Sequence, residues 1–108
     1  MMFQVGASLL DACVLAVLAR GDAYGYMLTQ SVKGLINVSE STLYPVLRRL
    51  LADGFLTVYD LPVGGRNRRY YQATEPGHQR LKLYTDEWAA YKTRVDTILL
   101  GGETADES

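Results

Sequence analysis

One cysteine, one histidine, three prolines and two phenylalanines stand in 108 residues. With Cys13 alone there is no internal disulfide framework, which fits a reducing cytoplasm. Cys13 lies in the apolar run Ala12 to Ala19, where an ordinary buried thiol is the favoured reading over a nucleophile or sensor. With His78 alone no histidine pair is available for a metal. The carboxylates are scattered, and Gly64-Gly65 lacks the lysine and the strand-to-helix context of a phosphate loop. These absences argue against an enzyme and against any metal or cofactor. No apolar run approaches the roughly 20 residues of a membrane span, so no membrane partner is expected. Met1 to Ala7 has no cationic segment of the kind that opens a secretory leader.

Charge of one sign is also scarce. The formal net charge is −1, and the tail holds three carboxylates, Glu103, Asp106 and Glu107, so residues 1–102 sum to +2. Between Ser39 and Tyr71 five arginines face Glu40, Asp53 and Asp60. A locally positive face with salt-dependent binding is expected, not a strongly basic protein. The length suits one domain, with an apolar share of 48% ordinary for a globular chain. A chain this short buries a modest fraction of its surface and gains from a partner subunit.

Apolar residues at helical spacing (Leu10, Cys13, Val14, Val17, Leu18) predict a first helix over Leu9 to Leu18, with Ser8 as N-cap and Gly21 as stop. A second helix is predicted from about Ala23 to Lys33, ended by Gly34. Gly25 within it is read as a site of close helix–helix packing. Leu35 to Val38 is a turn. Ser39 then caps a third helix, with Glu40 in its first turn. Leu43, Val46, Leu47, Leu50 and Leu51 form its apolar arc, and Ser41, Pro45, Arg48 and Ala52 lie opposite. Pro45 cannot donate to the Ser41 carbonyl, so the first turns should bend or tighten. Asp53-Gly54 closes the helix.

Alternation predicts a strand over Phe55 to Leu61, a turn at Pro62-Val63-Gly64-Gly65 and a returning strand from Arg69 to Ala73. Arginines sit at and just after the hairpin tip. Thr74 caps a last helix, with Glu75 and Pro76 in its first turn. In that helix Leu81, Tyr84, Trp88, Tyr91, Val95 and Ile98 are spaced 3, 4, 3, 4, 3, an a/d seam suited to a partner helix. Gly101-Gly102 stops it, and an acidic tail is expected to be disordered. The fold class is thus α+β, mostly α: a winged helix-turn-helix over 1–74, a dimerisation helix over 75–100 and a tail over 101–108.

A helix that enters a major groove needs short polar side chains near its start and positive charge along its flank. Ser39, Ser41, Thr42 and Tyr44 supply the first, Arg48 and Arg49 the second. The competing reading is a solvated face with Arg49 paired to an acid. The hairpin favours double-stranded DNA: Arg66, Arg68 and Arg69 near a Gly-Gly turn repel one another without an anion nearby, and Asn67 lies among them. By strand alternation Arg66 and Arg68 share one side and Arg69 the other, so Arg69 is read as structural. Tyr70 and Tyr71 are read as sheet packing. Trp88, with Tyr84 and Tyr91 on its seam, either buries area in a homodimer or walls a slot for a planar hydrophobic or cationic molecule. The alternative to DNA binding is a winged-helix protein-interaction module, which the small basic surplus motivates.

These residues resemble the PadR family of bacterial transcriptional regulators. The likeness rests on Thr42-Leu43-Tyr44-Pro45 with Leu47, Arg49-Leu50 and Gly54, on Tyr24-Gly25-Tyr26, and on Gly65-Arg66 with Arg69-Tyr70-Tyr71 and Thr74. The resemblance spans roughly residues 8–100. It implies an N-terminal winged helix, a C-terminal dimerising helix and repression through operator DNA. The single C-terminal helix is similar to that of multidrug-sensing repressors, in which a tryptophan eleven residues after the glycine of a Gly-His pair stacks on drugs at the dimer interface; Gly77-His78 and Trp88 keep that spacing. Ser41, Asn67 and Ala73 depart from the family pattern of glycine, proline and leucine at these places.

Overall fold

The computed structural model describes residues 7–101. Its elements are α1 (Ala7–Ala19), β1 (Ala23–Tyr24), α2 (Gly25–Leu35), α3 (Glu40–Ala52), β2 (Leu56–Val63), β3 (Arg66–Ala73) and α4 (Glu75–Leu99). The three strands form one antiparallel sheet in the order β1-β3-β2. Helices α1, α2 and α3 enclose the core, built from Leu10, Val14, Leu15, Leu18, Leu28, Val32, Leu43, Val46, Leu47, Leu50 and Leu56. Residues 102–108 of the expected tail, with their expected disorder, lie outside the described residues, as does the stretch before Ala7.

The register of α1 differs from expectation. Leu10, Asp11, Val14, Leu15 and Leu18 are buried, whereas Cys13 and Val17 are half-buried. The helix is apolar nearly all round, so periodicity alone leaves its inward face open. The helix is already formed at Ala7, so Ser8 lies within it instead of capping it. The second helix begins two residues later than expected because Ala23-Tyr24 pair with Tyr71 and Tyr70 of β3 as a short strand. It then runs through Gly34 to Leu35. A methyl group on Gly25 would meet the Tyr71 ring at 3.6 Å, so this glycine faces the sheet, not another helix.

In α3 the Ser39 Oγ accepts from the Thr42 N–H at 3.2 Å, completing the expected N-cap. The Ser39 carbonyl accepts from both the Thr42 N–H at 3.1 Å and the Leu43 N–H at 3.2 Å, and the helix runs continuously through Pro45. Gly54, with φ +82°, ends the helix in the left-handed region. Between β2 and β3 only Gly64-Gly65 form the turn, with φ +60° and +82°. Two consecutive positive φ values match the twist of a two-residue hairpin and favour glycine at both places. The strands therefore reach further than expected. Pro62 and Val63 belong to β2, and Arg66, Asn67 and Arg68 belong to β3.

Helix α4 is clamped at its start. The Thr74 Oγ1 accepts from the Gly77 N–H at 3.1 Å and donates to the Gly54 carbonyl at 2.7 Å. Leu81 and Tyr84 pack against the core of their own chain. Beyond Tyr84 the helix projects, with Trp88, Tyr91 and Ile98 all exposed.

Candidate nucleic-acid interface

The N-terminal face of α3 presents hydroxyls held in one cluster. The Ser39 Oγ lies 3.0 Å from the Ser41 Oγ and 2.9 Å from the Thr42 Oγ1. Ser39 is thus committed to the cap, while Ser41 and Thr42 remain exposed. Tyr44, Pro45 and Arg48 continue the exposed face. The helix is fixed against α2 by Glu40, whose Oε2 accepts from the Gln30 Nε2 at 3.3 Å and lies 3.9 Å from the Lys33 Nζ. The apolar arc of Leu43, Val46, Leu47 and Leu50 is buried beneath. This is the division between core and groove-facing sides that a recognition helix needs.

Arg49 is placed differently from Arg48. Its guanidinium turns back to α1 and forms an ion pair with Asp11, the alternative its position had left open. Asp11 is 7% exposed and also accepts from the Tyr84 hydroxyl at 3.4 Å. Burial pushes the Asp11 carboxyl above its ordinary range, against the opposing pull of the Arg49 charge. Burial and the neighbouring Asp11 charge likewise raise the Tyr84 hydroxyl. The folded state therefore holds the Asp11 proton more firmly than the unfolded chain does. Its contribution to stability is complete below the unfolded value near 3.8 and is lost as pH rises through the folded value. Thermal melts from pH 3 to pH 7 should show wild type losing stability relative to Asp11→Asn across roughly that window. A relative gain for wild type would mean that the Arg49 pairing outweighs the burial cost.

In the wing, strand register separates the basic residues onto two faces. Asn67 and Arg69 share a face with Tyr71 and Ala73, which pack toward the core, and Arg66 and Arg68 lie on the other with Tyr70 and Gln72. The Arg69 Nε donates to the Asp60 Oδ1 at 3.4 Å across the strand pair. The Arg68 guanidinium lies 4.4 Å above the Tyr24 ring centre. Tyr24 in turn meets Tyr70 edge-on at 5.8 Å, and Tyr70 stacks on Tyr59 at 5.5 Å. Such an aromatic row stiffens the sheet that carries the wing. Among the described residues Arg48, Arg66 and Arg68 have no carboxylate within 4.0 Å. A groove of about 570 Å³ runs between the wing and the start of α2, lined by Tyr24, Gly25, Tyr26 and Arg66 to Arg69. Tyr24 and Tyr26 come beside the wing through the β1–β3 pairing, which two residues of sequence do not announce.

The seam on α4 divides. Leu81 and Tyr84 are taken up by their own chain, and Val95 is half-buried. Trp88 and Tyr91, with ring centres 6.4 Å apart, are 46% and 55% exposed. Burial raises the Cys13 thiol, which holds it in the unreactive protonated form. Among the described residues no cluster of three or more His, Cys, Asp or Glu is gathered for a metal. Among them, too, no helix is long and apolar enough to cross a membrane.

Among the described residues, four helices with a three-stranded antiparallel sheet, a recognition-type α3 and a basic hairpin define a winged helix-turn-helix protein. The family model "Transcriptional regulator PadR-like family" matches residues 14–83, and the chain belongs to that family. It is a family of transcriptional regulators. The chain is 42% identical over 87 residues to the transcriptional regulator Rv3488 of Mycobacterium tuberculosis, covering 80% of this chain and 78% of that protein. The crystal structure of smu.1704 from Streptococcus mutans superposes with a TM-score of 0.85 at 39% identity, covering 94% of this chain and 95% of the other. A PadR-like transcriptional regulator from Bacillus cereus superposes with a TM-score of 0.78 at 28% identity, covering 88% and 94%.

Proposed function

We propose that this regulator acts in the cytoplasm as a homodimeric repressor that binds operator DNA through α3 and the wing. The observation that carries the reading is the exposure of Ser41, Thr42, Tyr44 and Arg48 on α3 together with exposed Arg66 and Asn67, and the half-buried Arg68 over the Tyr24 ring, on a stiffened wing. Short polar groups read base edges in a major groove, and the wing arginines hold phosphates or enter a narrow minor groove. Arg49, drawn to Asp11, positions α3 and leaves the flanking charge to Arg48. A gel-shift titration with the DNA upstream of the protein's own gene tests this. Binding at physiological salt should exceed binding to random DNA, and equal affinity for both would favour the protein-interaction module instead.

Dimerisation is supported by the projecting half of α4. A helix with Trp88, Tyr91, Ile98 and Leu99 exposed, and little of its own chain against its projecting half, gains stability by covering that face. Trp88→Asp places a charge where a partner helix would bury it, and sedimentation should then find monomers at concentrations where wild type is dimeric. A dimer unaffected by Trp88→Asp would move the interface elsewhere. The exposed Trp88 and Tyr91 rings also support an effector slot for a planar hydrophobic or cationic molecule, with Tyr84 at its edge. A planar cationic dye should accordingly quench Trp88 emission in the dimer alone.

A further inference from the structure

Asp11 is the one buried carboxylate of the described residues, and it stands where three helices meet. It belongs to α1, its ion-pair partner Arg49 belongs to α3, and its second hydrogen-bond donor Tyr84 belongs to α4. A buried carboxylate is costly to desolvate and is retained only where its partners are fixed. Both partners occupy informative places. Arg49 follows Arg48, the charged flank of the groove-facing side, and precedes Leu50, which anchors α3 in the core. Tyr84 lies one helical turn before Trp88, at the point where α4 leaves its own domain. Arg80 faces the Tyr84 ring at 6.0 Å and the Phe55 ring at 4.8 Å, so the α4 side of the junction is itself held in place.

We infer that Asp11 is a positioning residue: by accepting from Arg49 and Tyr84 together, it ties the rotation of α3 to the placement of α4. The inference rests on the DNA-binding reading for its consequence, though not for the link itself. A movement of α4 at Trp88, whether from a ligand or from a shifted partner helix, lengthens the 3.4 Å contact of Tyr84 with Asp11. The carboxylate then swings with Arg49, and α3 turns against the core. The contacts form a continuous chain from α4 through Asp11 to α3, and an allosteric link further requires that α3 and α4 respond together, which the following measurements test.

Tyr84→Phe removes the hydroxyl and keeps the ring, so the fold survives. Tyr59→Phe is the matched control, since it deletes a hydroxyl that donates to Asp22 at 2.6 Å on the sheet. In hydrogen exchange on the full-length protein, α3 amides should exchange about tenfold faster in Tyr84→Phe relative to β2 and β3 amides, as expected for one lost bond to a charged group. The control should leave that ratio unchanged. An unchanged ratio in Tyr84→Phe, or a uniform rise in every element, overturns the link. In gel shifts, Tyr84→Phe and Asp11→Asn should each cut the preference for promoter over random DNA by about tenfold while the salt slope stays the same. Altered α3 exchange with an intact preference overturns the positioning role. A wild-type protein without any preference overturns the DNA-binding reading, and the exchange ratio still decides the link.

Discussion

Replacing Gly77 with alanine is expected to cost the fold about 3 kcal/mol or more, although alanine is the better helix former by roughly 1 kcal/mol. The first turn of α4 presses so closely on the segment between α3 and β2 that an added Cβ would stand 2.2 Å from the Phe55 carbonyl oxygen and 3.1 Å from its carbon. That carbonyl cannot swing away. It accepts from the Thr74 N–H at 3.1 Å, and the Phe55 N–H donates to the Leu50 carbonyl at 3.0 Å. On the far side the Leu15 Cδ2 is 3.4 Å from the same position. With backbone in front and core behind, the substitution must lever α4 off the domain. For a domain of this size the midpoint of thermal unfolding should fall by roughly 15 °C in circular dichroism. Gly34→Ala provides the contrast: its helical position opens onto empty space, so the same change there should stabilise by about 0.5–1 kcal/mol. A Gly77→Ala protein melting within a few degrees of wild type would show that the α4 junction is loose.

The order of helices, hairpin and last helix was legible in the residues because caps and turns are local chemistry. Ser39 and Thr74 cap through contacts three residues away, and Gly54 ends α3 by its own φ. The inward face of α3 was legible too, since charged and apolar residues alternate cleanly around it. Helix α1 offered no such contrast. Its one charged residue within the apolar stretch, Asp11, was the available signal, and only the fold shows that it faces inward to Arg49. The a/d spacing on α4 was correct as a periodicity but silent on ownership: Leu81 and Tyr84 serve their own core, and Trp88 and Tyr91 face outward. Long-range pairing of the kind that joins Tyr24 to Tyr70 across forty-six residues leaves little trace in a local pattern. The groove beside the wing depends on that pairing.

Alanine at Arg66 and Arg68 together should abolish measurable operator binding without unfolding the protein, since both side chains lie on the outer face of the hairpin. In a dimer four guanidinium groups are lost, and the slope of log affinity against log salt should become shallower by about four if each neutralises one phosphate. At roughly 0.15 M salt each released counterion is worth about 0.7 of a decade, so the affinity should fall about a thousandfold. The two arginines are not equivalent. The Arg68 guanidinium carbon sits 4.4 Å over the Tyr24 ring centre, so its charge is held in place, whereas Arg66 stands opposite Val63 at the turn. Arg68→Lys keeps the charge but loses the guanidinium over the Tyr24 ring, and should lose affinity while retaining the slope. Arg69→Ala should change the slope less than Arg66→Ala, because its guanidinium is already shared with Asp60. A double alanine variant with an unaltered salt slope would take the wing off the DNA backbone, leaving α3 to account for whatever binding remains.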